Sequence, residues 1–264
     1  MRKAGFRGRI IGVSSPRTTE EALRLGVIDE ALPIEEAAPR SDLIYLAQPI
    51  SRILRILETL DEHLKPGSLV TDAGSTKRAI AAAARARIRR AEFLGGHPMA
   101  GKESRGVGAG EAELFAGRPY VLTPKDGKLS ELGESFRDWV VRIGARPLTM
   151  TPARHDRLVA LVSHLPQLSS TALAATLDAD ADREWFPQVA GPGLLDNTRL
   201  ALSAYEIWSD IIATNGDEIE RALDIYIRRL AALRESLSGG GLEREFSAGE
   251  RMAAELRHRG AHGE

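Results

Sequence analysis

One histidine in the sequence stands in a run of glycines. The stretch GGHPMAGKESRGVGAG, residues 95 to 110, carries His97 and Glu103 among six glycines and one proline. His97 follows the apolar run EFLGG and so falls at the carboxyl end of a predicted strand. In an open α/β sheet that is the edge where ligands bind. Gly95 and Gly96 allow close approach of backbone or ligand, and Pro98 restricts His97 to an extended conformation. A histidine placed there is a candidate general base, because imidazole titrates near neutral pH. The alternative is a turn histidine satisfied by backbone. Of the other five, His63, His258 and His262 read as solvated surface residues, which leaves His155 and His164. Among His97, His155 and His164 no pair has the i, i+4 spacing of a helical metal site, and no cysteine or HExxH accompanies them, so no metal is expected.

A second predicted strand ends in TDAGSTK, residues 71 to 77, with Ser75 and Thr76 at the start of the next helix. Either hydroxyl would cap that helix, and the strand edge would bring Ser75 toward the crevice of His97. The intervening strand end, LAQPI, brings Gln48 and Pro49 to the same edge. In HDRLVALVSHLPQLSSTAL the residues Ser163, Gln167 and Ser170 form a polar line among leucines, and Pro166 is expected to bend the helix. A polar stripe needs partners, and a substrate is one possibility. Arg199, in LLDNTRLAL, reads as a guanidinium in an apolar surround, to be neutralised by Asp196 or by a bound anion.

The elements that must position these residues divide into two kinds. Short apolar runs at 9–13, 42–47, 68–74, 92–96, 119–123 and 145–151 alternate with helical patterns. That alternation predicts an α/β, Rossmann-like domain over residues 1–151, with a mostly parallel sheet. From 152 to 264 the strands stop and an all-α domain is expected. Within it Ile219, Leu223, Tyr226, Leu230, Leu233 and Leu237 make a heptad seam, which would pack in its own core or across a dimer. The SGGG at 238–241 ends that helix, and the charged tail is expected to hold one more short helix.

Composition excludes several classes of function. The 264 residues carry 36 basic and 37 acidic side chains, well mixed, for a net charge of −1. No electrostatic footprint for nucleic acid or an anionic membrane exists, so a small-molecule partner is expected. There is no cysteine, no run of 18 apolar residues and no signal-peptide pattern at the N-terminus, which together suggest the cytoplasm.

Taken in order, DAGSTK, GGHPMAGKESRG, SHLPQ and DNTRLALSAYEIWSDIIATN resemble the prephenate and arogenate dehydrogenases of tyrosine biosynthesis, over essentially the whole chain. The resemblance implies an NAD(P)-dependent oxidative decarboxylation. His97 would take the proton from the C4 hydroxyl of a cyclohexadienol ring while hydride leaves C4 for the nicotinamide. The ring carboxylate then becomes a vinylogous β-keto acid, and loss of CO2 gives an aromatic ring. Ser75 would orient His97 and the substrate hydroxyl, and Arg199 would bind a substrate carboxylate. Glu103 matches the family's active-site glutamate. Ser163, Gln167 and Trp208 match positions that line the substrate pocket from the helical, dimerisation domain; many members have histidine where Gln167 stands.

Two departures from that family bear on the cofactor. The family opens with a strand and a GxGxxG loop that seats the pyrophosphate on a helix N-terminus, and this sequence has neither. Its beginning, MRKAGFRGRIIGV, reads as the end of the first helix running into the second strand, as if the start were cut short. The missing strand would be central, so two strand edges should be exposed. The alternative function is therefore a non-catalytic dimeric remnant. Second, where an NAD enzyme would carry an acidic residue, the chain has Ser14, Ser15, Pro16 and Arg17. An arginine there accommodates a 2′-phosphate, so NADP is preferred over NAD. Ser14, Arg17, Gln48, Pro49, Asp72 and Ser75 are the expected cofactor-side residues, and the predicted assembly is a homodimer through the helical domain.

Overall fold

The computed structural model describes residues 1–101 and 106–261. Strands form at each of the apolar runs: β1 (Ile11–Gly12), β3 (Leu43–Leu46), β4 (Leu69–Asp72), β5 (Glu92–Pro98), β6 (Pro119–Thr123) and β7 (Arg146–Thr149). A further two-residue strand, β2 (Glu30–Ala31), pairs with β1 and was too short to leave a periodic signal. The helices of this half are α1 (Pro16–Arg24), α2 (Ile34–Ala37), α3 (Ile50–Thr59), α4 (Arg78–Arg87) and α5 (Glu131–Arg142).

Two sheets result rather than one. β1 and β2 form a parallel pair, and β3, β4, β5, β6 and β7 form a five-stranded sheet in that order. Within the larger sheet β3, β4 and β5 are parallel, β6 runs antiparallel to β5, and β7 is parallel to β6. β4 is buried at every position, as a parallel strand covered on both faces is, whereas β3 and β5 are partly exposed. Leu69, Leu94, Tyr120 and Leu122 pack with Phe136 and Val140 of α5. On α3, Ile50, Ile53 and Leu57 are buried at i, i+3 and i+7, the spacing that turns one helix stripe inward. Burying each such side chain contributes about 1.5–3 kcal/mol.

The later part of the chain is helical: α6 (Pro152–Val159), a π-helical turn at Ala160–His164, α7 (Leu165–Asp178), α8 (Phe186–Val189), α9 (Pro192–Thr198), α10 (Tyr205–Gly239) and α11 (Leu242–Ala261). A π-helical turn just precedes Pro166, the irregularity at which the missing N–H of a proline inside a continuous helical stretch is accommodated. The tail helix, α11, is 20 residues long, not the short one expected. By contacts the chain divides into two units, Met1–Val159 with Leu202–Asn215, and Ala160–Ala201 with Gly216–Glu264. α10 breaks its helical dihedrals at Asn215 (φ −140°, ψ 20°), the last residue of the first unit.

Candidate active site

His97 is held inside β5, one residue before its end, rather than in the loop beyond it. Since β3, β4 and β5 are parallel, their carboxyl ends bring Gln48, Pro49, Ser75 and His97 to one sheet edge. The glycines before His97 are required by packing. A Cβ on Gly96 would lie 2.6 Å from the backbone carbonyl of Asp72, and one on Gly95 would lie 2.3 Å from Thr123 Oγ1. They let β5 sit tightly between β4 and β6. Replacing Gly96 by alanine must push β4 and β5 apart, and an overpacked site of this kind costs about 1–3 kcal/mol. A chemical denaturation midpoint left unmoved by Gly96→Ala would contradict that reading.

Beneath the strand ends lies a buried ion pair. Lys77 Nζ donates to Asp72 Oδ2 and, at 2.7 Å, to the Gly96 carbonyl. The Asp72 carboxylate also accepts from the N–H groups of Gly74 (2.8 Å) and Gly96 (3.1 Å). Burial pushes the Lys77 ammonium pKa below its ordinary value, against the pull of Asp72. Asp72, expected beside the cofactor, is fully buried and ties the DAGS turn to the strand of His97 from below.

A line of three side chains leads away from His97. Its Nδ1 lies 2.8 Å from His155 Nε2, and His155 Nδ1 lies 2.7 Å from Asp156 Oδ1. The carboxylate can only accept, so His155 donates from Nδ1, and in the neutral ring Nε2 presents its lone pair. His97 must then donate from Nδ1, which leaves Nε2 as its basic nitrogen. Asp156 is in turn fixed by the start of α4, where its two oxygens accept from Lys77 N–H (2.7 Å) and Arg78 N–H (2.9 Å). Arg78 Nε adds a 3.3 Å contact, and Asn215 joins Arg78 Nη2 (3.1 Å) to the Asp156 carbonyl (2.9 Å). Burial raises the Asp156 pKa, but the hydrogen bonds from His155, Arg78 and Lys77 outweigh it, and the carboxyl stays below the ordinary aspartate value. The helix N-terminus favours the same negative charge.

This arrangement corrects the expected caps. α4 begins at Arg78, after Ser75 and Thr76, and the capping carboxylate is Asp156 from 78 residues downstream of Arg78. Thr76 is buried and bonded to Thr214 at 2.7 Å, while Ser75 is half-buried in the loop between β4 and α4. Sequence reasoning picked out His155 without giving it a role and passed over Asp156. The adjacent His-Asp pair at the start of a helical run was the available signal.

The remaining expected residues are distributed as follows. Ser14 and Arg17 are exposed at the start of α1, and Trp208 is half-buried with Nε1 3.0 Å from Ser203 Oγ. In the second unit, Gln167 and Ser170 are buried. Gln167 Nε2 donates to the Leu200 carbonyl at 2.8 Å, and Ser170 Oγ accepts from Ala201 N–H at 3.1 Å. The polar line thus finds partners in the turn at Arg199–Leu202, while Ser163 is half-buried in the π turn. Arg199 is exposed, contrary to the apolar surround read from its neighbours, because Asp196 and Asn197 beside it are exposed too. Glu103 lies outside the described residues.

Comparisons with known proteins agree with this frame. The family model for the prephenate dehydrogenase nucleotide-binding domain matches residues 1–148, and that for the prephenate dehydrogenase dimerization domain matches residues 151–249. A prephenate dehydrogenase of Bacillus subtilis is 32% identical over 237 residues, covering 86% of this chain and 62% of that protein. One from Lactococcus lactis is 30% identical, covering 99% of this chain and 74% of its own length. Among solved structures, Synechocystis arogenate dehydrogenase is 31% identical with a TM-score of 0.80, covering 97% of this chain and 91% of the other. A prephenate dehydrogenase from A. aeolicus, solved with hydroxyphenyl propionate and NAD+, is 28% identical with a TM-score of 0.86 over the same shares. The chain belongs to the prephenate dehydrogenase family.

Proposed function

We propose that the protein catalyses the NAD(P)-dependent oxidative decarboxylation of prephenate or arogenate. The observation that carries this reading is the line His97, His155, Asp156 at the carboxyl edge of the parallel strands. His97 Nε2 takes the proton of the substrate's C4 hydroxyl. The positive charge that the ring gains is stabilised through His155 by the negative charge of Asp156, which the start of α4 maintains. The dinucleotide, when bound, supplies the hydride acceptor. With C4 oxidised, the ring carboxylate leaves as CO2 and the ring becomes aromatic, so one correctly oriented base is enough.

The residues present fit part of that cofactor. Arg17 is exposed in the first turn of α1, directly after β1, as a 2′-phosphate requires, and this favours NADP. Gln48, Pro49 and Ser75 at the strand ends serve the nicotinamide side. No glycine-rich cradle for the pyrophosphate occurs in the sequence. Family pattern assigns Arg199 to a substrate carboxylate, and Ser163, Gln167, Trp208 and Glu103 to the substrate. Gln167 is already committed to the Leu200 carbonyl, so its amide also serves structure. The test is to incubate the purified chain with prephenate or arogenate and NAD or NADP. We expect reduced cofactor and CO2 in equal amounts, fastest with NADP; no reduced cofactor under any combination would overturn the assignment.

The division of the sheet favours one other reading, a dimeric remnant without catalysis. Titration with NADP and NADPH separates the two, since micromolar binding with turnover sinks the remnant. Either reading takes the helical part as the dimer contact and the cytoplasm as its place. Along the seam of α10, Ile219 is buried but Leu230 and Leu237 are 46% and 73% exposed, an apolar row in want of a partner helix. We expect Leu230→Asp combined with Leu237→Asp to convert a dimer to monomer by sedimentation velocity; an unchanged dimer would place the contact elsewhere.

A further inference from the structure

Lys77 approaches His97 from two directions. Its backbone N–H donates to Asp156 Oδ1 at 2.7 Å, and through His155 that carboxylate sets the tautomer of the His97 ring. Its side chain reaches β5 one residue before His97, where Nζ donates to the Gly96 carbonyl at 2.7 Å. The first path holds the ring, and the second holds the backbone that carries it.

The second path replaces a rung of the sheet. Pairing of β4 with β5 ends at Thr71 opposite Leu94. Glu92 N–H bonds to the Ser68 carbonyl, so a parallel ladder continued in this register would bring Gly74 N–H to the Gly96 carbonyl. That N–H is turned instead to Asp72 Oδ2, at 2.8 Å. The Lys77 ammonium takes its place, and Asp72 Oδ1 accepts from Gly96 N–H at 3.1 Å. Lys77 Nζ and Asp72 Oδ2 are themselves bonded, so both polar groups of Gly96 end on one buried charged pair. A buried ion pair is poor evidence of stability, because desolvation offsets its attraction and apolar residues of like volume often serve as well. What apolar residues could not supply is a charge-assisted donor aimed at the Gly96 carbonyl.

We propose that Lys77 is a positioning residue for the reaction: its ammonium stands in for the absent rung at Gly96 and so fixes the peptide that carries His97. Asp72 serves to hold that ammonium. The role rests on His97 being the base.

Because the chain has no cysteine, Lys77→Cys gives a single thiol that can be alkylated in denaturant before refolding. Bromoethylamine then restores an ammonium at the reach of lysine, and bromopropane puts a methyl group in the same place. The two products differ only in that terminal group. We expect the aminoethyl protein to match refolded wild type within about twofold in kcat. The propyl protein should lose about tenfold or more in kcat, as a displaced catalytic group does, with KM within about twofold. Its Gly96 amide should exchange hydrogen about tenfold faster, and the 15N signals of its His97 ring should move toward the average of the two tautomers. Asp72→Asn in the propyl protein removes the carboxylate left without its partner, and this form should show the same losses. Wild-type kcat and ring signals in the propyl protein would overturn the proposal, as would a loss of kcat no larger than its unfolded fraction explains. Failure of the proposed activity itself shows separately, as no turnover in refolded wild type, while Gly96 exchange and the ring signals still decide the role of Lys77.

Discussion

Replacing His97 by asparagine is expected to lower kcat for NAD(P)H formation from prephenate or arogenate by about 10²–10⁴, the usual worth of a positioned general base. Asparagine keeps a hydrogen-bonding side chain of similar reach toward His155 but has no basic nitrogen. The fold should survive, since His97 is only half-buried and the tight packing of β5 comes from Gly95 and Gly96. A rate within a few-fold of wild type would mean that another group removes the C4 hydroxyl proton.

The second large effect belongs to Asp156, which touches no substrate and acts through His155. In Asp156→Asn the side-chain amide must satisfy two backbone N–H donors at Lys77 and Arg78, so its oxygen is drawn to them and its NH2 turns to His155 Nδ1. His155 then carries its proton on Nε2 and donates to His97, which is forced into the tautomer with a proton on its own Nε2. A base in the wrong tautomer loses about 10²–10⁴ in kcat while KM stays near wild type. The variant should also lose about 1–3 kcal/mol of stability from the poorly paired buried amide. The sign of its pH dependence follows from the depressed pKa. The carboxylate's contribution is complete above the ordinary aspartate value of 3.8 and is lost as pH falls through the lower folded value. The stability gap between wild type and variant should therefore be constant near neutral pH and close only in strong acid. A loss of stability with kcat unchanged would reduce Asp156 to a helix cap.

The sequence made the strands and His97 legible for a local reason. EFLGG, SLVTDAG and DLIYLA are apolar runs of strand length, and their carboxyl ends share one edge whatever the tertiary detail. What local pattern could not reveal were contacts made over long separations. Asp156 caps α4 in place of Ser75 or Thr76, which only the placement of α6 decides. Arg199 looked apolar in its surroundings because its neighbours in sequence are leucines, yet the turn it occupies is open to solvent. Gln167 and Ser170 read as part of a polar line in want of partners, and both bond to backbone groups more than thirty residues away, which no local pattern shows. Two-residue strands such as β2 are too short to carry periodicity.

The most direct measurement of the His97 line is 15N NMR of the histidine side chains in the 15N-histidine-labelled chain near neutral pH. His97 should be neutral with its proton on Nδ1 and an unprotonated Nε2, and His155 should likewise carry its proton on Nδ1, with both assignments lost or inverted in Asp156→Asn. A His97 protonated on Nε2 in the wild-type protein would contradict its role as the base.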